Sequence, residues 1–330
     1  MEPQYIGVDL HKAFFQACAL EGSGTRVWEG QWPRTARGIA EFAARGLDGA
    51  HVAVEAMGPT WAFVDAVQAC GAHVCVVDPR KTKLKAGYAA KTDRLDARRL
   101  ADALRRQSVV SVYLPPPAIR ELRELCRGRH QLVRLRARLV QTIRALLLRQ
   151  DAGEPGVTRL YSARGIAWLQ GCALPGASGE TLQRLTRTLI ALDTEAQAAD
   201  AAVRARAAAD PIATALATLV GIGPVIALTL RAEIGTIHRF QRWPQLACYA
   251  GLVNRVETSA GRTRQGRITR QGSPWLRWAL VEAAIHAMDR PDAVGRWARH
   301  LAGRISICPA RVALARVLCR DIVRVWPAVA

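Results

Sequence analysis

The sequence, 330 residues long, has none of the long apolar segments that mark a membrane protein. It contains no uninterrupted apolar run of about eighteen residues, whereas a helix that spans a bilayer needs about twenty. Its N-terminus has neither the basic start nor the apolar stretch of a secretory signal. These absences predict a cytoplasmic protein with no membrane partner.

Cysteine patterns for metal or redox chemistry are also absent. None of the eight cysteines forms a Cys-x-x-Cys pair, and no histidines accompany them at the spacing of zinc ligands. Most of them lie in apolar runs, as Cys75 does in VCVV. We therefore expect buried thiols in a reducing compartment rather than disulfides or a zinc site.

Lysine and acidic residues are both scarce relative to arginine. The chain has 47 basic and 27 acidic residues, so its formal net charge is +20 and its pI is about 10.8. A GC-rich coding sequence would explain why arginine replaces lysine, but not why positive charges outnumber negative ones. A chain this basic commonly faces a polyanion, and the guanidinium group forms paired hydrogen bonds with phosphate. The lysines are only Lys12, Lys81, Lys83, Lys85 and Lys91.

The length predicts about two domains, and the patterns divide the chain into three segments. Residues 1–115 alternate apolar strands with helices, which predicts an α/β domain whose sheet is largely parallel beyond an initial meander. The predicted strands are 5–10, 13–20, 25–30, 51–56 and 73–78, and the predicted helices are 35–45, 60–70 and 92–106.

Residues 116–210 are predicted to form a helical arm. After LPPPA, one arginine-rich helix covers 118–150, and a second covers 180–208 with leucine and alanine at heptad spacing. The apolar face of the first helix is predicted from residues at spacings of three to four: Leu132, Leu135, Leu139, Ile143 and Leu146. Two such helices fit either an antiparallel hairpin within one chain or a coiled coil between two chains. The sequence pattern leaves both alternatives open.

Residues 211–330 are predicted to be mainly α-helical, with helices at 274–288, 293–302 and 309–325. The segment GIGPVIALTL fits a helix-hairpin-helix turn, in which Gly221 and Gly223 expose backbone N–H groups to a DNA phosphate. Pro224 suits the first position of the following helix. A glycine turn between two packed helices is the alternative.

Four carboxylates are placed where a sheet and a helix can bring them together. Asp9 and Glu55 each end an apolar strand, and Asp93 and Asp96 share one face at the start of a helix. Neighbouring carboxylates repel one another unless a cation is bound, and hard oxygen ligands favour Mg²⁺ or Mn²⁺. Acids at strand ends and helix starts are also common without any function. His11, two residues after Asp9, is expected to point away from this site.

Several motifs together resemble a known family. YIGVDLHK, VAVEAMGPT and KTDRLDARRLA resemble the DEDD, RuvC-like N-terminal domain of insertion-sequence transposases related to the Piv DNA invertase. LVGIGPVIALTLRAEIG, FQRWPQLACYAGLV and TSAGRTRQGRITRQGSPWLRWAL resemble the C-terminal transposase domain of the same family. The resemblance spans nearly the whole chain in the family's order. It implies an RNase H/RuvC-like fold for the N-terminal domain.

The resemblance also implies a particular activity. Members of the family excise and insert a mobile element by recombination, guided by a structured RNA from the element that pairs with donor and target DNA. Such a protein would work as a dimer or tetramer at the bacterial nucleoid. Carried over by motif, the Mg²⁺-binding, catalytic tetrad is Asp9, Glu55, Asp93 and Asp96.

The same resemblance places a serine nucleophile in GLVNRVETSAG. Ser259 aligns with the family's serine, although Asn254 stands where the family usually has proline and Ala260 where it usually has glycine. Thr258 is adjacent, at a position where some members carry serine. We therefore expect Ser259 to be the nucleophile.

Two sets of arginines are candidates for nucleic-acid contact. The first set flanks Ser259, where Glu257 is the only acid within 251–277. The second set lies on the long helix of the arm, where a polyanion-facing side is expected; in both places a solvated surface is the alternative. The residues are Arg255, Arg262, Arg264, Arg267 and Arg270 in the first set, and Arg134, Arg136 and Arg138 in the second.

Three functions compete at this point. The favoured one is an RNA-guided DNA recombinase with a serine nucleophile. A metal-dependent endonuclease that resolves DNA junctions by water attack would need the acids but not Ser259. A basic nucleic-acid chaperone, in which the acids are structural, would need neither.

Overall fold

The protein, described here from a computed structural model, consists of two compact units, Met1–Leu114 and Pro115–Ala330. The structure describes residues 4–58, 60–78, 82, 92–153, 156–259 and 262–326. Among these residues, none of the helices combines the length and the apolar character that crossing a bilayer requires.

The first unit is built on a five-stranded mixed sheet, which confirms the predicted α/β class. Its spatial order is β3-β2-β1-β4-β5. The first three strands form an antiparallel meander, whereas β4 runs parallel to β1 and β5 runs parallel to β4. The strands are β1 (Tyr5–Leu10), β2 (Phe14–Leu20), β3 (Arg26–Pro33), β4 (His51–Glu55) and β5 (His73–Val77).

Helices cover both faces of this sheet. Helices α1 (Ala36–Ala43) and α2 (Thr60–Gln68) cover the face that holds the main apolar core. Helix α3 (Asp93–Arg105) packs on the other face and begins at Thr92, whose hydroxyl accepts a hydrogen bond from the Leu95 N–H, as an N-cap threonine should.

Gly7 lets α3 approach β1 unusually closely. A Cβ atom at this position would lie 2.1 Å from the Ala97 carbonyl oxygen and 2.4 Å from the Ala101 nitrogen. Because side chains alternate along a strand, Asp9 lies on the same face of the sheet as Gly7. The close approach therefore brings the start of α3 over the end of β1.

The second unit is mainly helical, with one apolar core shared by most of its helices. Its helices are α4 (Pro117–Arg149), α5 (Ala163–Gly171), α6 (Gly176–Ala209), α7 (Pro211–Leu216), α8 (Pro224–Ile234), α9 (Trp243–Tyr249), α10 (Pro274–Ala287), α11 (Ala293–Ile305) and α12 (Ile307–Val325). Two strands, β6 (Asn254–Ser259) and β7 (Arg262–Ile268), form an antiparallel hairpin where the sequence predicted no strand.

The arm, which consists of α4 and α6, is an antiparallel hairpin within one chain. Arg129 pairs with Asp200 and Arg136 pairs with Asp193, so the two helices run in opposite directions. We call the line of contact between α4 and α6 the seam. Leu135, predicted to lie on the apolar face of α4, is 48% exposed and lies outside the seam. The seam follows heptad spacing through the two arginines: Leu122, Cys126, Arg129, Val133, Arg136, Val140, Ile143 and Leu147 on α4, and Leu182, Thr186, Leu189, Asp193, Ala196, Asp200, Val203 and Ala207 on α6.

Candidate active site

Two acids and a histidine meet at the carboxyl end of β1. Asp9 comes from β1, Asp93 is the first residue of α3, and His11 follows β1. The His11 Nε2 atom lies 3.3 Å from a carboxylate oxygen of Asp9 and 3.4 Å from one of Asp93. One potential ligand atom from each of the three residues lies within 4.8 Å of the others. We call these three residues the acidic cluster.

The electrostatics of the acidic cluster are those of crowded carboxylates. Burial raises the pKa of Asp9 above its ordinary value, and the negative charges of Asp93 and Asp96 raise it further. The neighbouring His11 imidazole acts in the opposite direction and lowers this pKa, but does not cancel the increase. A carboxylate in such surroundings gains most from a bound cation.

The other two predicted acids lie beside the acidic cluster without joining it. Val8 and Val54 are paired in the parallel β1–β4 ladder, so Asp9 and Glu55 leave neighbouring strands at the same edge of the sheet. Asp96 lies one turn after Asp93 on α3 and contacts the Arg99 guanidinium at 3.4 Å. Among the described residues, neither acid belongs to the group of closely spaced ligand atoms.

Two polar side chains at this site were not predicted from the sequence. The expectation that His11 points away is wrong, because a turn closed by the His11 N–H and the Phe14 carbonyl brings the imidazole back over the acids. Gln16 pairs with Asp9 across β1 and β2 and is only 4% exposed. Its side-chain nitrogen has no hydrogen-bond partner among the described residues. A polar residue inside an otherwise apolar strand, as in FFQACAL, was the signal for it.

Ser259 lies in the second unit, at the end of β6, where it pairs with Arg262 of β7. The backbone of both residues is described, whereas their side chains and that of Thr258 lie outside what the structure describes. The predicted nucleophile thus occupies the tip of a β-hairpin.

The arginines around Ser259 form an exposed basic surface. Arg255 is on β6, Arg264 and Arg267 are on β7, and Arg270 follows β7; all four are exposed. The hairpin strands pack mainly against each other, so these side chains are available to a ligand. Their contact with nucleic acid stays a prediction.

The three arginines predicted on the arm differ in their surroundings. Arg134 and Arg138 are exposed. Arg136 lies in the seam, pairs with Asp193, and holds its guanidinium 4.0 Å from the centre of the Tyr161 ring. The exposed pair is therefore better placed for a phosphate than Arg136 is.

The two glycines of the GIGP turn also differ. Gly221 has a φ of 90°, and a Cβ atom there would lie 2.3 Å from the Ala283 carbonyl oxygen, so it permits close packing against α10. Gly223 is exposed, lies at the N-cap of α8 without a side-chain cap, and has no atom near its Cβ position. The surrounding cavity of about 620 Å³ is also lined by Arg129 and Arg204.

Comparison with known proteins identifies the class of protein to which these two units belong. Residues 6–150 match a family model described as a transposase. Residues 213–298 match a second model, described as the transposase family IS116/IS110/IS902. The first match contains the acidic cluster, and the second contains the hairpin.

Individual relatives match over most of their length. A family 20 transposase of Pseudomonas aeruginosa is 29% identical over 94% of this chain and 93% of the relative. The transposase of the insertion sequence element IS1111A of Coxiella burnetii is 28% identical over 94% and 86%. The y4rJ protein of Sinorhizobium fredii, named as a transposase, is 30% identical over 79% and 72%. The chain belongs to the IS116/IS110/IS902 family of transposases.

Proposed function

We propose that this transposase cuts and rejoins DNA with a composite site, in which the acids of the first unit and Ser259 of the second act on one phosphodiester. The observation that carries the proposal is the convergence of Asp9, His11 and Asp93 at the carboxyl end of β1. In this proposal Glu55, from the strand beside β1, and Asp96, one turn after Asp93, complete a tetrad with Asp9 and Asp93. The strand order, with an antiparallel meander followed by two parallel strands, supports an RNase H/RuvC-like kinship.

The donor set of the site fits a hard divalent cation. Carboxylates are the ligands that Mg²⁺ and Mn²⁺ prefer. Burial, followed by the charges of Asp93 and Asp96, raises the pKa of Asp9, and a bound cation would stabilise its ionised form. Asp9, Glu55, Asp93 and Asp96 are the residues that would hold the cation, and the His11 imidazole lies beside two of them. When bound, such an ion stabilises charge on the phosphate oxygens during phosphoryl transfer.

Ser259 supplies the nucleophile in this proposal. Its hydroxyl oxygen forms a bond to phosphorus, and the bond between phosphorus and one deoxyribose oxygen breaks. The departing oxygen takes up a proton, and the serine loses one, so the step is balanced. The phosphoserine link conserves the energy of the broken bond for rejoining, which suits recombination better than hydrolysis does. The exposed arginines of the hairpin would hold the strand being cut.

The positive charge of the chain supports nucleic-acid partners in addition to the DNA at the site. The family resemblance implies a structured RNA, transcribed from the mobile element, that pairs with donor and target DNA. Arg134 and Arg138 on the arm, and the open N-terminus of α8 at Gly223, are candidate phosphate contacts. Purified protein freed of RNA should therefore bind DNA but fail to select its target until the RNA is restored.

Recombination requires several strand cuts, so we propose an assembly of two or four copies. Because the acids and Ser259 belong to different compact units, the serine of one subunit would serve the acids of another in this assembly. Asp9→Asn protein mixed with Ser259→Ala protein should then regain part of the cleavage that each variant lacks alone. Mixed oligomers that form but stay inactive would place the whole site within one chain.

The direct test of the proposal is capture of a covalent protein–DNA adduct. Wild-type protein is incubated with labelled DNA containing an element end, with Mg²⁺ or with a chelator, and then denatured. Peptide mapping should place the DNA on Ser259, and Thr258→Ala, the neighbouring control, should still form the adduct.

Each alternative predicts a different result in this assay. Metal-dependent cleavage without an adduct would indicate a junction-resolving endonuclease that uses water. A protein that binds DNA but never cleaves it would be a chaperone in which the acids are structural.

A further inference from the structure

The carboxylate of Glu233, near the end of α8, is one of the few charged groups buried in the second unit. The residue is 1% exposed. Arg127 of α4 donates two hydrogen bonds to its carboxylate, at 2.8 and 3.0 Å. A third donor is the Ser273 hydroxyl, 2.8 Å from Oε2. Burying a carboxylate costs solvation free energy, and hydrogen-bond donors offset this cost only when they are held in a defined geometry. The three donors therefore show which parts of the fold Glu233 fixes relative to one another.

Glu233 connects three helices at one point. Arg127 belongs to the arm, Glu233 belongs to α8, and Ser273 is the N-cap of α10, where its hydroxyl oxygen accepts a hydrogen bond from the Leu276 N–H. Arg123, one turn before Arg127, donates to the carbonyl oxygens of Ala232 and Glu233, each at 2.9 Å. The start of α10 is thereby fixed to both α4 and α8.

The hairpin that carries Ser259 enters and leaves the unit beside this point. We define its root as residues 251–253 and 269–273. Hydrogen bonds from the Thr269 N–H to the Val253 carbonyl and from the Arg270 N–H to the Gly251 carbonyl close the root. Gly272 packs so tightly that a Cβ atom there would lie 1.9 Å from the Tyr249 carbonyl oxygen. Ser273, the last residue of the root, is the one that Glu233 holds.

The direction of the hairpin is set at its root, because its strands pack mainly against each other. At about 3.4 Å per residue, Ser259 lies about 17 Å from the start of β6. A rotation of about 3–4° at the root would move the tip by about 1 Å, and a misplacement of this size at a reacting group costs on the order of 100-fold in rate.

We propose that Glu233 is a positioning residue for the hairpin that carries Ser259. By accepting hydrogen bonds from both Ser273 and Arg127, it fixes the direction in which the hairpin leaves the second unit. This inference rests on the proposed role of Ser259 and extends it to Arg127, Glu233 and Ser273, which all belong to the second unit. Because Arg127 and Arg123 both lie on α4, the arm also contributes to the position of the hairpin.

The test separates the hydrogen bond to Glu233 from the helix cap. Ser273→Asp keeps an oxygen that caps α10 but cannot donate to Glu233, and it adds a second negative charge. Ser273→Thr keeps both functions and serves as the matched control. In the double variant Ser273→Asp with Glu233→Gln, the amide nitrogen at position 233 donates to the new carboxylate, and the amide oxygen still accepts from the Arg127 Nε–H, whereas the second hydrogen bond from Arg127 is lost.

The expected result concerns the rate and not the affinity. At saturating DNA, Ser273→Asp should form the Ser259 adduct at least tenfold more slowly, with a Kd for DNA within twofold of wild type. Ser273→Thr should behave as wild type, and the double variant should recover part of the rate, because it regains the link between positions 233 and 273 but keeps only one hydrogen bond from Arg127. Hydrogen exchange at the Thr269 and Arg270 amides should be faster in Ser273→Asp than in wild type or Ser273→Thr. This measurement detects a loosened root independently of DNA cleavage. If Ser273→Asp does not fold, Ser273→Gly replaces it, because glycine removes the donor and is tolerated at an N-cap, unlike alanine.

Two results would overturn the inference. One is a folded Ser273→Asp protein with faster exchange at the root but a wild-type rate. The other is a rate loss that the double variant does not recover. A wild-type protein that forms no adduct would instead refute Ser259 as the nucleophile, and root exchange would then still test the link between Glu233 and Ser273.

Discussion

The polar pair in the seam of the arm gives a stability prediction with a defined magnitude. Asp193 is 7% exposed and receives hydrogen bonds from Arg136 and from the Gln197 amide. Asp193→Ala would leave the Arg136 guanidinium unpaired between two helices. Removing one partner of a buried pair costs about 3–5 kcal/mol. For a unit of this size, roughly 2–4 °C of Tm correspond to each kcal/mol, so Tm should fall by roughly 10 °C.

A matched variant distinguishes the cost of an orphaned charge from the value of the pair itself. Replacing Arg136 and Asp193 together by leucine removes both charges and keeps apolar volume in the seam. Such exchanges are commonly neutral or stabilising by about 1–4 kcal/mol, although the contact of Arg136 with Tyr161 would be lost. Thermal and urea unfolding of Arg136→Leu, Asp193→Leu and the double variant complete the cycle. A double variant as unstable as Asp193→Ala, or a loss below about 1 kcal/mol for Asp193→Ala, would refute the reasoning.

The remaining predictions follow from single side chains. Because burial raises the pKa of Asp9, the free energy of unfolding falls as pH rises from 3.8 through the higher pKa that Asp9 has in the folded protein. Asp9→Asn should therefore raise Tm at neutral pH in the absence of metal. Gln16→Met keeps the volume and removes a buried amide whose nitrogen has no hydrogen-bond partner among the described residues, so Tm should be equal or higher in thermal melts. Neutralising Arg134 and Arg138 should reduce the salt dependence of DNA binding by about 0.9 per lost phosphate contact, whereas Arg136→Gln should not. Burial acts to raise the pKa of Asp200, but hydrogen bonds from two arginines hold it below 3.8, so the stability that this carboxylate contributes is lost as pH falls below 3.8. In Asp200→Asn, Tm should be lower at neutral pH and should fall less on acidification.

The sheet of the first unit and the place of its acids could be predicted because local signals agree there. Apolar runs that end in an acid marked β1 and β4, and Thr92 marked the start of α3. These features place Asp9 and Asp93 near one another before any tertiary contact is known. The position of His11 could not be predicted, because it depends on a turn whose closure places the ring back over the strand end.

The hairpin and the seam of the arm escaped prediction for different reasons. Strands β6 and β7 consist largely of arginine, threonine and glutamine, and they lack the apolar alternation by which a strand is recognised. In the arm, Arg129 and Arg136 occupy seam positions, so the heptad pattern is hidden by residues that are expected on a surface. Leu135 then suggested a seam shifted by one position. In the arm the deciding contacts are with residues distant in sequence, such as Asp193.

The central claim is that the acidic cluster and Ser259 act on the same phosphate. It is tested most directly by the single-turnover rate of adduct formation in Asp9→Asn, measured at saturating DNA with Mg²⁺ present. The account predicts a rate at least about 100-fold below wild type, with unchanged DNA affinity and an intact fold, because charge on the phosphate would no longer be stabilised. Wild-type adduct formation on Ser259 by the Asp9→Asn protein would contradict it.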